Sequence, residues 1–280
     1  MTYFGFLAVF IGIPTLLLAG AATWDAWRGR TLPARLSAWS PSAAIALHIL
    51  VAVIYTTPWD NYLVASEVWS YDPALVSGLL LGWVPVEEYT FFIVQTLLVG
   101  LWIVFLARRL ALPGAALIHS KAWRWTPVAL LAVLWMGSLA SLLLGWRAGR
   151  YLCLELAWAL PPVMIQLAFG GDILRHYGRL VLGSILPMVL YLSAADALAI
   201  RSGTWSISST QSLEIFIAGL PVEELVFFLL TTTLIVFGIL LLISQEGQAR
   251  LHQLLPARKR TLPASPVQVV EPVPEQENTE

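Results

Sequence analysis

Four carboxylates stand where carboxylates are expensive. Glu87-Glu88 and Glu223-Glu224 each follow Pro-Val inside a long apolar stretch, and no Lys or Arg lies within ten residues of either pair. An acidic side chain at the centre of a membrane helix costs about 2.5–3.5 kcal/mol. With no local cation to offset that cost, the remaining relief is protonation, one carboxyl of each pair keeping its proton at neutral pH. Each pair then offers a group able to give a proton and a group able to take one. Helical spacing puts Glu88, Phe92 and Gln95 on one face, matched by Glu224, Phe228 and Thr231, and turns Glu87 toward Trp83 and Phe91. Aromatic faces stabilise a cation without capturing it as a carboxylate would. Pro85 and Pro221 each remove one helical N–H and crowd the carbonyl of Leu81 or Ile217, a freed acceptor that a neutral Glu could satisfy.

The elements that must hold these groups are membrane helices. Of 280 residues, 58% are hydrophobic and 12% charged, and mean hydropathy is +0.77. A soluble domain carries about twice that share of charge. The net charge of −1 and the lack of a basic cluster argue against nucleic acid, and a single cysteine, Cys153, leaves no internal disulfide and no Cys-based zinc site. Seven stretches are long enough to cross a bilayer: 3–22, 39–57, 75–107, 126–145, 150–170, 180–199 and 212–243. The third and seventh are too long for one straight crossing, so a kink, a tilt or a shorter helix is expected at their prolines. Ala19-Gly20-Ala21 is faintly like a signal cleavage site, but residues 1–5 hold no basic residue and the first span reads as a retained helix. Thirteen Lys and Arg fall in the segments on one side and three (Arg147, Arg150, Arg201) on the other, so the expected topology has the N-terminus outside and the C-terminus in the cytoplasm.

The chain also matches itself at an offset of 136. Tyr55, Asp60, Ser66, Trp69 and Ser70 fall on Tyr191, Asp196, Ser202, Trp205 and Ser206. The Pro-Val-Glu-Glu and Phe-Phe segments coincide too, which makes 11 identities over positions 55–92 without a gap. The fold class read from this is all-α: a polytopic membrane protein of seven helices in a 3+1+3 parallel internal duplication. Residues 1–110 form the first three-helix repeat, 111–147 the connecting helix, 148–245 the second repeat and 246–280 a disordered cytoplasmic tail rich in Pro, Gln and Glu. Both acidic pairs are expected at one depth, about ten residues into their spans, hence about 15 Å along the helix and near the bilayer middle. Trp69 and Trp205 suit either an interfacial belt or the site, and Asp60 and Asp196 either a helix cap or the site.

At this point the sequence resembles the membrane lycopene cyclase family, the non-flavin kind that occurs as two three-span subunits or as their fusion. The resemblance rests on Trp59-Asp60, Trp69-Ser70-Tyr71, Gly78 and Pro85-Val86-Glu87-Glu88-Tyr89-Thr90-Phe91-Phe92 in the first half. In the second half it rests on Asp196, Gly203-Thr204-Trp205, Gly219-Leu220-Pro221-Val222-Glu223-Glu224 and Phe227-Phe228. Ala195 stands opposite Trp59, and Glu214 opposite Gly78, as departures. The resemblance implies an isomerase of the lycopene β-cyclase type in carotenoid biosynthesis. Protonation of an end-group double bond gives a tertiary carbocation, an internal alkene attacks it, and loss of a proton leaves a ring. Its substrate is a linear carotenoid drawn from the bilayer, and other membrane enzymes of the pathway are candidate partners. The implied site is composite. Glu88 and Glu224 form the inward pair and Glu87 and Glu223 tune it. Trp83, Phe91, Phe92, Phe227, Phe228, Trp69 and Trp205 line it, and Pro85, Pro221, Asp60 and Asp196 support it.

Competing readings are a proton-coupled transporter using the Glu pairs and, within the family, a C50 carotenoid cyclase. A retinal protein would need a lysine inside a span, and both lysines, Lys121 and Lys259, fall outside. A prenyl protease would need metal-binding His on later helices, and only His48 lies well inside a span, so no metal is expected. No Gly-x-Gly-x-x-Gly follows a strand, so no dinucleotide cofactor is expected.

Overall fold

The computed structural model describes residues 1–254. Seven helices are long and apolar enough to cross a membrane: α1 Tyr3–Trp27, α2 Pro41–Ala65, α3 Val86–Ala107, α4 Lys121–Leu143, α5 Arg150–His176, α6 Gly178–Arg201 and α7 Val222–Ile243. Several starts are written in short polar caps. Thr2, Ser40 and Ser120 accept from the amides of Gly5, Ala43 and Trp123, and Pro41 occupies the first turn of α2, where its missing N–H costs nothing. Within α1, Leu7–Gly12 is wound as a π-helix. An eighth helix, α8 Gln245–Leu254, runs where the tail was expected to be disordered from 246. The buried Arg250 ties α8 to α5, donating to both carboxylate oxygens of Asp172 at 2.6 and 2.7 Å. The rest of the expected tail, 255–280, lies outside the described residues.

The two overlong stretches resolve in a way that hydropathy did not indicate. Residues before each Pro-Val-Glu-Glu form a two-stranded hairpin, not a helix. With β1 as Trp69–Tyr71, the first hairpin pairs β2 Leu80–Leu81 with β3 Val84–Pro85. With β4 as Trp205–Ile207, the second pairs β5 Phe216–Ile217 with β6 Leu220–Pro221. Two-residue turns of this kind need positive φ. Gly82 supplies it in the first, Ala218 and Gly219 in the second. Pro85 and Pro221 therefore kink nothing. Each ends a strand in extended conformation and serves as the N-cap of α3 or α7. The Leu81 carbonyl finds its donor in the Tyr89 hydroxyl at 3.0 Å, not in a glutamate. Both acidic pairs consequently stand in the first turn of their helices, not ten residues along them. Carboxylates are favoured there by the exposed amides and by the helix dipole.

Bonds recur at fixed offsets along the chain. β1 and β4 pair antiparallel with Ser70 opposite Ser206, so Trp69 faces Ile207 and Tyr71 faces Trp205. Gln95 donates to Thr231, 136 residues on, at 3.2 Å. Tyr55 donates to the Trp158 carbonyl and Tyr191 to that of Phe10. The tyrosines are 136 apart, but their acceptors are 148 apart. The extra twelve residues match the corners: thirteen residues, 28–40, join α1 to α2, whereas Tyr177 alone separates α5 from α6. The contrast between Gly78 and Glu214 is also a backbone matter, since both adopt a left-handed conformation, at φ +79 and +54.

The charged end of the bundle lies opposite the hairpins. There Arg109 grips Asp25 with two bonds of 2.8 Å, and Arg108 and Arg30 approach the same carboxylate at 3.6 Å. Helix α4 packs chiefly on α5, with Trp135 donating to the Ala157 carbonyl, and leaves Leu130 and Val133 outward.

Candidate active site

The hairpins fix where the glutamates point. Each hairpin folds back over the start of its helix and brings the segment before it within reach of the first acid of the pair. Glu87 thereby accepts from the Ser77 amide and, at 3.2 Å, from the Ser77 hydroxyl. Glu223 accepts from the Leu213 amide at 2.7 Å. The second acid of each pair lies about 100° further round the helix and turns into the bundle. Glu88 accepts from the Tyr3 hydroxyl at 2.6 Å and the Tyr71 hydroxyl at 3.0 Å. Glu224 accepts from Tyr151 at 2.7 Å. Burial, with Glu88 and Asp60 facing it, pushes the Tyr71 phenol well above its ordinary range, so it remains a donor. All four glutamates are buried, and among the described residues no Lys, Arg or His forms an ion pair with them.

Glu88 and Glu224 line one small hollow together with Asp196, Phe91, Phe227, Phe228, Trp69 and Trp205. Its walls are aromatic faces and edges. Trp205 stands edge-on to Phe6 at 5.1 Å, Trp69 edge-on to Phe227 at 6.0 Å, and Phe227 edge-on to Phe228 at 5.3 Å. Trp205 also donates to Asp196 at 3.1 Å, which fixes both. Trp69 and Trp205 thus face inward and are not belt residues. Asp60 is fully buried near Glu88, and neither of its oxygens has a hydrogen-bond partner among the described residues.

Two expected wall residues are elsewhere. Trp83 sits at the hairpin tip, 65% exposed, because residues 80–85 are strand and turn and do not continue the helix that would have aligned it with Glu87. Phe92 faces away from the hollow, into a groove between α2, α5 and α7 that Phe227 also lines. Pro85 and Pro221 support the site as helix starters.

Sequence reading missed the hydroxyl donors Tyr3, Tyr71 and Tyr151. Tyr3 and Tyr151 begin α1 and α5 in equivalent places, but the twelve-residue difference in the corners hides them from a gapless match. Glu155 was also missed. It is fully buried one turn along α5 from Tyr151, beside Glu224, and both of its oxygens lack partners among the described residues. An acid in the first turns of an apolar span was a readable signal. Trp59 stacks on Phe227 and, at 4.4 Å, on Trp158, which lines the groove and not the hollow.

Buried acids without cations, bounded by ring faces, can deliver a proton to an apolar molecule and support the cation that results. Among the described residues no cluster of His, Cys, Asp and Glu has the arrangement of a metal site.

Known proteins are similar to this chain in sequence. A family model described as lycopene cyclase matches residues 1–106 and 149–242. A lycopene beta-cyclase of Halobacterium salinarum is 37% identical over 243 residues, which cover 86% of this chain and 95% of that protein. Bifunctional lycopene cyclase/phytoene synthases of Aspergillus niger and Gibberella fujikuroi are 34% and 37% identical over 198 residues, about a third of their own length. No solved structure matches the chain. With most of its length shared in this way, the chain belongs to the lycopene cyclase family.

Proposed function

We propose that this protein is a carotenoid end-group cyclase of the lycopene β-cyclase type, an isomerase acting on linear carotenoids within the bilayer. The observation that carries the chemistry is the shared hollow, which Glu88 and Glu224 both line among aromatic rings, with no cation partner among the described residues. Glu224, held by one phenol and bordered by the further acids Asp196, Glu223 and Glu155, gives its proton to the terminal double bond. The tertiary cation is attacked by the internal alkene, closing the ring, while the faces of Phe227, Phe228, Phe91, Trp69 and Trp205 stabilise the positive charge. Glu88, whose charged form is supported by two phenol donors, takes the departing proton. One proton enters and one leaves, so the net change is an isomerisation, and transfer from Glu88 back to Glu224 across the hollow resets the site. Glu87 and Glu223 hold the hairpins that aim their neighbours, and Asp60 and Asp196 complete the acidic layer.

The larger organisation follows the same reading. Residues 1–110 and 148–245 are two copies of one three-helix unit, with α4 in 111–147 as the connector. The bonds recurring at offsets of 136 and 148 support this, as does the omission of α4 from the family match. The cell membrane is the site of action, with the N-terminus outside and the arginine-rich end in the cytoplasm. Other membrane enzymes of the pathway supply the substrate.

Expression in a lycopene-accumulating host, with chromatography of the pigment, tests the activity. Cyclised product should replace lycopene. Unchanged lycopene at normal protein levels overturns the reading.

A further inference from the structure

The groove lined by Phe92 and Phe227 is an apolar cavity beside the acid hollow that the acid chemistry leaves unused. It encloses about 480 Å³ between α2, α5 and α7, within the 300–1,000 Å³ usual for sites that bury an organic ligand. Its walls are overwhelmingly apolar, with Val51, Ala52, Trp158, Pro162 and Ile165 among them. Most of the polar groups along it are already engaged. Thr231 bonds the Phe227 carbonyl, Gln95 bonds Thr231, and the Gln166 amide donates to the Leu234 carbonyl.

Three observations identify an occupant. First, Phe227 lines both the groove and the acid hollow, so one ring separates the two spaces. Second, the groove follows α7 from Phe227 to Leu242 and ends against α8 at Gln248 and Leu251. Fifteen residues of helix make that about 22 Å, most of the thickness of a hydrocarbon core of about 30 Å. Third, the corresponding face of α6 is shut. Positions 136 residues after His48, Ala52 and Thr56 are Ser184, Met188 and Leu192, all buried. Tyr191 there bonds to Phe10 of α1, and the Gly183 carbonyl takes the Trp102 indole N–H. A site built from two similar halves therefore has one open flank.

We propose that this groove holds the polyene of the substrate, parallel to the helices, while one end group passes the Phe227 ring into the hollow. The proposal rests on the cyclase reading and deepens it. It also makes the enzyme one-ended per binding event. A bicyclic product requires release of the monocyclic carotenoid, rebinding with the opposite end leading, and accommodation of the first ring at the α8 end.

The test narrows the groove from its lipid-facing lip, where Ile165 is 69% exposed and Val51 52% exposed, and compares an equally exposed residue on α6, Leu190. Ile165→Trp and Val51→Trp should each lower cyclised product at least about tenfold at equal protein level, since a displaced substrate loses its aligned geometry. Leu190→Trp should stay within about twofold. Each is repeated in a Glu224→Gln background, and carotenoid co-purifying with the protein is read by absorbance. The groove variants should retain several-fold less lycopene than the parent, and Leu190→Trp the same amount. Equal lycopene retention in all variants overturns the proposal even if Glu224→Gln is inactive, and so does phospholipid in place of carotenoid in the parent. Conversely, loss of carotenoid only in the groove variants, together with an active Glu224→Gln, retains the groove and removes the acid assignment.

Discussion

The two ends of this bundle treat buried carboxylates in opposite ways. At the arginine end, Asp25 and Asp172 are 2% and 3% exposed, and each is held by a two-bonded guanidinium, Arg109 and Arg250. At the hairpin end, Glu88, Glu224, Asp60, Asp196 and Glu155 are equally buried and receive phenols, an indole or nothing. A neutral partner can serve a carboxyl in either protonation state, whereas a guanidinium locks in the ionised form. Under the proposed function, the difference separates acids that hold the structure from acids that exchange a proton.

The largest effect expected from breaking this contrast is chemical. Glu224→Gln and Glu88→Gln should each cut cyclised product by about 10²–10⁴-fold with protein levels unchanged, as judged by pigment chromatography and immunoblotting. An active variant at either position would erase the distinction. At the other end the effect should be on folding. Arg250→Ala strands the Asp172 charge and should cost about 3–5 kcal/mol, whereas Asp172→Leu combined with Arg250→Met recovers most of it. Reversible unfolding in mixed micelles would measure both. The phenols come next. Tyr151→Phe removes the hydroxyl that bonds Glu224 and should slow turnover about 10–100-fold, given about 1.5–3 kcal/mol for a bond to a charged group. Tyr71→Phe leaves Tyr3 in place on Glu88 and should cost less. The reverse order in measured turnover would exchange the donor and acceptor assigned to the two halves. Smallest should be Glu155→Gln, which replaces an unpartnered acid with a neutral isostere. Product should stay within about twofold and stability should be neutral or about 1 kcal/mol higher, read in the same unfolding assay.

Seven helices and the inward direction of Glu88 and Glu224 were legible because apolar length and the 100° step are strong local signals. The boundaries of α3 and α7 were not. Leu79-Leu80-Leu81 and Ile215-Phe216-Ile217 are apolar enough to pass for helix, and only the turn chemistry of Gly82 and Gly219 marks them as hairpins. That misreading displaced Trp83 into the site and set the acids too far along their helices. The phenols were hidden for a different reason. Tyr3 and Tyr71 reach Glu88 across 85 and 17 residues, a convergence that no local periodicity encodes.

The reciprocal bonds of Tyr55 to Trp158 and Tyr191 to Phe10 carry one more implication. Helix α1 is clasped by α6 and helix α5 by α2, like two hands interlaced at the thumbs. During synthesis α1, α2 and α3 enter the membrane long before α5 exists, so the early segment must wait with its reactive interior unsealed. Only when the last helices arrive can the clasp close and the oily vessel for a carbocation come into being.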